Sequence, residues 1–177
     1  MSPPSGLETV LFALARDTRT QPAVSNIKDT LRRKAPNKKQ IEAVKNEDLI
    51  LEPYDAVYVL TCLANLMQGK TKELQLKEAN LEHIFPQNPS AEWKNAGELE
   101  PYVGHLGNLT MLGQRLNAKV ANLGFDTKKE TYAKSELEMA KQVAACKVWD
   151  VAAILDRAKK MLPLIVQVWD FDNPSRV

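Results

Sequence analysis

Between Lys72 and Gly124 the apolar pattern changes its period, and that change restricts the architectures open to this chain more than any other feature. The run NLEHI reads as a short strand, stopped by Pro86, which has no amide hydrogen to give to a sheet ladder. After the polar loop QNPSAEWKNAG, a second apolar run, NLTML, begins behind Gly107 and ends at Gly113, as a strand between two turns does. QRLNAKVAN then takes up a helical period and ends near Gly124. The expected order is strand, loop, strand, helix, with ELQL as a further short strand upstream.

On either side the pattern is helical. Ser5 and Glu8 form a capping box ahead of a stripe of Leu7, Val10, Leu11 and Leu14. Ile27 and Leu31 mark a second helix that Pro36 should stop, and Ile41 with Val44 a third. Pro53 opens the apolar helix YDAVYVLTCLANLMQG, closed by Gly69, with Cys62 expected in its packed interior. Beyond Asp126 come a short helix through Tyr132, another opened by a capping box of Ser135 and Glu138, and a long one from about Asp150 to Trp169 that Pro163 should kink. The fold class that follows is α+β and mainly helical. Its expected parts are a helical subdomain over 1–70, a two-strand-and-helix core over 71–135, and C-terminal helices over 136–177 that pack on that core.

Composition excludes more than it selects. At 177 residues and 44% hydrophobic the chain can bury a core without staples. Cys62 and Cys146 belong to no CxxC pair, which points to a reducing, cytoplasmic setting. No apolar run approaches the roughly 20 residues that span a bilayer, so no membrane role is expected. The net charge of +2 is too small to argue for nucleic acid alone. Charge does cluster locally: Lys28, Arg32, Arg33, Lys34, Lys38 and Lys39 stand against Asp29, and Arg115, Lys119, Lys128, Lys129 and Lys134 against Asp126 and Glu130. Either cluster also fits a solvated helix face.

Hydrolysis of a phosphodiester needs a base for water, a cation against the charge on phosphorus, and help for the leaving oxygen. LEHIFPQ places a carboxylate beside an imidazole at a strand end, where alternation sends the two side chains to different partners. Glu82 can hold a hard cation while His83 faces the water. Asn108 opens the second apolar run, and nine residues on, Asn117 offers an amide oxygen as a second metal ligand.

These residues resemble the HNH-like (His-Me finger) C-terminal nuclease domains of GmrSD-type modification-dependent restriction enzymes and related phage-defence proteins. The resemblance runs from LEHIFPQ through a Trp-containing loop to HLGNLTMLGQRLNAKVANLGFDTKKETYAKS, about residues 76–135, with KVWDVAAILDRAKKML similar to the trailing helix. It implies a ββα-metal core with His83 as general base, Glu82 and Asn117 as metal ligands, and Asn108, counted with His83 in the catalytic set, as the amide that fixes the loop bearing the base. Many HNH members carry His where Asn117 stands, so magnesium or manganese is expected rather than tight zinc. The implied activity is DNA nicking that leaves a 5′ phosphate, a double-strand break needing two chains. A nucleotide-binding N-terminal domain or subunit is the implied partner, for no GxxxxGK[ST] loop occurs here.

DNA contacts are expected from His105, Arg115, Lys119, Lys128 and Lys129, although His105 equally suits a turn. Trp93, in the loop beside the motif, is a candidate for stacking on a base, while Trp149 and Trp169 fit a core. Two rivals remain open: a nucleic-acid-binding module without chemistry, and a protein-interaction module of a larger defence complex. The sequence does not decide between DNA and RNA.

Overall fold

Proline at the first turn of a helix gives up an amide that would have no partner there, and Pro53 opens α2 in this way (Pro53–Met67). Ala56, Leu60, Leu63 and Ala64 then recur at helical spacing and are the buried stripe of that helix. The computed structural model describes residues 37–68 and 79–169. Before α2 lie α1 (Lys38–Glu42) and a 3-10 turn (Asn46–Asp48). After it come β1 (Ala79–His83), α3 (Ala96–Leu99), 3-10 turns at Glu100–Tyr102 and Leu106–Asn108, and β2 (Leu109–Gly113). Four helices follow: α4 (Gln114–Val120), α5 (Phe125–Tyr132), α6 (Glu138–Ala144) and α7 (Val151–Val168). The fold is α+β and mainly helical, as expected.

β1 and β2 pair antiparallel, with Leu81 opposite Met111, Glu82 opposite Thr110 and His83 opposite Leu109. Leu109, Thr110, Met111 and Leu112 are all buried, so β2 is covered on both faces. Helix α2 lies against β2 and α7, while α7 lies against the Leu106–Asn108 turn. Residues 38–170 thus form one compact unit in which helices from both sides of the strand pair share a core. An isolated two-stranded hairpin is marginal in water, and this packing supplies what it lacks.

Several local expectations change. Asn108 is the last residue of the 3-10 turn and not part of the second strand. Helix α4 ends at Val120, short of Gly124, because Ala121 turns out of it with φ of 34°. Gly124 instead opens α5, and its amide donates to Glu92 Oε2 at 2.9 Å. Ser135 and Glu138 form no capping box: Ser135 Oγ accepts from the Leu137 amide two residues on, and α6 starts at Glu138 itself. The cap of α6 comes from α2, where Gln68 Oε1 accepts the Glu138 amide at 2.8 Å. Cys62 is half-buried, outside the packed interior. Asp150 caps α7 through the Ala153 amide at 2.8 Å, and Pro163 lies within that helix. ELQL and the expected helices near residues 6 and 27 lie outside the described residues.

Candidate active site

The last two residues of β1 are Glu82 and His83, and strand alternation sends their side chains to opposite faces. The half-buried His83 ring makes no hydrogen bond or ion pair with the described residues. Burial, and then the nearby Lys128 ammonium, push its pKa below the ordinary histidine value. Both causes favour the neutral imidazole, the form that accepts a proton.

Glu82 is enclosed. Lys128 Nζ donates to its Oε1 at 2.8 Å and Tyr132 Oη donates to the same oxygen at 2.8 Å. Lys128 also donates to the His83 carbonyl at 2.9 Å, so one ammonium touches both residues of the Glu-His pair. The Lys128 side chain has 0% exposure and that of Glu82 6%. Burial works against both charges, raising Glu82 and lowering Lys128, while their attraction opposes it. Burial and the Glu82 carboxylate push the Tyr132 phenol far up, which keeps it a hydrogen donor. Across the ladder, Thr110 Oγ1 is buried without a hydrogen-bond partner. Lys128 is therefore misplaced among surface DNA contacts. Sequence reading also missed Tyr132, although Phe125, Lys128 and Tyr132 stand at the i, i+3, i+7 spacing of one helix face and are the buried residues of α5.

Asn108 has 0% exposure and an amide bonded on both sides. Its Oδ1 accepts from the Phe85 amide at 2.8 Å and from Trp149 Nε1 at 3.0 Å. Its Nδ2 donates to the carbonyls of Phe85 at 2.9 Å and Val103 at 3.0 Å. The residue clamps the chain just after His83 and cannot reach a substrate, so it is a positioning residue and not a catalytic one. His105 is likewise enclosed and unavailable to a phosphate. Its Nδ1 accepts from the Gly107 amide at 3.1 Å, which leaves Nε2 to donate to the Asn46 carbonyl at 2.6 Å.

Asn117 Nδ2 donates to the Leu81 carbonyl at 3.0 Å, tying α4 to β1 two residues before His83. Arg115 and Lys119 on the same helix are exposed, and Lys129 is half-exposed beside Asp126 and the Phe125 ring. Trp93 is only 6% exposed, donates Nε1 to the Leu123 carbonyl at 2.9 Å and meets Phe85 edge-on, so it is core and unavailable for stacking on a base. Trp149, 4% exposed, stacks on Phe125.

Glu82 and Asn117 are hard oxygen donors of the kind magnesium and manganese take. Their arrangement does not fit such an ion. The one carboxylate is already neutralised by Lys128, and no three His, Cys, Asp or Glu side chains converge among the described residues. A divalent ion placed there would face a buried ammonium.

Among known proteins, the family described as GmrSD restriction endonucleases, C-terminal domain, matches residues 28–164 of this chain. No curated protein matches it.

Proposed function

Because the chain belongs to the family of GmrSD restriction endonuclease C-terminal domains, we propose that it is a DNA endonuclease domain in which His83 takes a proton from the attacking water. The observation that carries this reading is the state of the His83 ring: it ends β1, is half-buried, has no partner within the described chain, and is held toward its neutral form by burial and Lys128. A general base must be deprotonated and free to meet water, and these conditions supply both. Asn108 holds the Phe85 backbone two residues on, and Lys128 holds the His83 carbonyl, so the imidazole stands on a fixed support.

The unit event is a nick that leaves a 5′ phosphate. Arg115, Lys119 and Lys129, which reach solvent, are the cations proposed to meet the DNA backbone. Lys128 and His105 leave that set. A nucleotide-binding N-terminal domain or subunit is the proposed partner, consistent with a family of C-terminal domains. Magnesium or manganese is the proposed cofactor of the activity, although Glu82 and Asn117, with Lys128 on the carboxylate, do not as arranged form a site for it.

The test is nicking of supercoiled plasmid with magnesium, manganese or chelator, run beside His83→Ala. Conversion to open circle by the parent protein, lost by a factor of about 100 or more in the variant, is expected for a missing general base. Full nicking by His83→Ala would remove His83 from the mechanism.

A further inference from the structure

A buried carboxylate needs a counter-charge, and here the fold provides it from α5 instead of leaving it to solvent ions. Lys128 Nζ, fully enclosed, lies 2.8 Å from Glu82 Oε1, and Tyr132 Oη occupies a second position on that oxygen. The residue directly across the ladder, Thr110, sends no hydrogen bond to the group. The pairing is one carboxylate against one ammonium, and no group of three or more His, Cys, Asp or Glu side chains that could hold a metal occurs among the described residues. Adding a divalent cation to that pair would leave an excess positive charge in a space with little solvent to screen it. Removing the lysine charge would reverse the balance and leave the carboxylate in need of a cation.

We propose that Lys128 is the resident counter-cation of Glu82, and that a divalent ion reaches this carboxylate only in competition with the Lys128 ammonium. The inference rests on the nuclease reading for the kind of ion concerned, and on the geometry for the competitor. It assigns Lys128 a role opposite to the one its place in a basic cluster suggests: it faces inward and weakens ion binding, and does not face outward to hold phosphate. Because the same ammonium donates to the His83 carbonyl at 2.9 Å, an ion that displaced it would also release the backbone under the base.

The test is manganese binding to the full 177-residue chain, followed by the electron paramagnetic resonance of free Mn2+. Lys128→Gln keeps an amide that can donate to Glu82 and to the His83 carbonyl while deleting the charge; Lys128→Met deletes both. Each variant should bind Mn2+ about ten-fold or more tightly than the parent, since a full positive charge within contact distance is gone. The gain should disappear when Glu82→Gln is added. A folded Lys128→Gln or Lys128→Met protein that binds Mn2+ no more tightly than the parent would overturn the proposal, as would a gain that survives Glu82→Gln. With two variants, one that fails to fold leaves the other to decide. Cleavage is not the readout, so a plasmid left uncut counts against the nuclease reading alone.

Discussion

Asn108 engages its side-chain amide on both sides within the core, two bonds accepted and two donated, and three of its four partners are backbone groups. Truncating it would strand the Phe85 amide and carbonyl where water cannot replace the lost bonds. Asn108→Ala should therefore cost at least about 3 kcal/mol in urea unfolding; a loss below about 1 kcal/mol would show that the clamp carries little strain. His105 supplies a pH dependence. Burial lowers its pKa from 6.5, more than the Asn46 hydrogen bond and the Glu47 charge raise it. The unfolded chain then takes up the proton first as pH falls, so the stability contributed by this group is complete above 6.5 and declines below it, toward the folded value. Urea midpoints from pH 8 to pH 5 should fall more steeply for the parent than for His105→Asn, and parallel curves would rule the assignment out. The sequence left His105 between phosphate contact and turn support, and burial decides for the turn.

The Leu106–Asn108 turn lies directly on α7. A Cβ on Gly107 would collide with the Ile154 carbonyl, which belongs to helix backbone and cannot swing aside. From the same helix, the Arg157 guanidinium donates to the carbonyls of Gly107 at 2.9 Å and Leu109 at 2.7 Å, satisfying acceptors at the start of β2. Gly107→Ala should lower stability by about 2 kcal/mol or more, measured by thermal melting, with loss of the order around Asn108. A melting temperature equal to the parent's would mean that the turn and α7 separate without cost. The glycine was legible in sequence as the boundary of the second strand, but the reason for it was not. The reason is a helix more than forty residues away in the chain. The missed cap of α6 has the same origin, since Gln68 reaches it from α2 and no local box could announce it.

At the scale of the whole molecule, the proposed nuclease activity requires exposed cations that would face DNA. Arg115 and Lys119 are exposed and stand four residues apart on one face of α4, so a phosphate backbone passing over that face would meet both. The double variant Arg115→Ala, Lys119→Ala should bind DNA more weakly, with the slope of log affinity against log salt shallower by about 1.8, roughly 0.9 for each phosphate contact. An unchanged slope in fluorescence anisotropy would place the DNA elsewhere. The local pattern of the sequence determined the strand, loop, strand, helix order, the Glu82–His83 pair at a strand end, and the spacing of Asn108 and Asn117, because period, proline and glycine act within a few residues. It could not determine the fates of Lys128 and Lys129, neighbours of identical chemistry in one basic run. One turn of α5 places Lys128 inward against Glu82 and leaves Lys129 toward solvent. Only the packing of α5 on the strand pair distinguishes them, because burial and charge pairing depend on what lies across the core, not on what lies beside a residue in the chain.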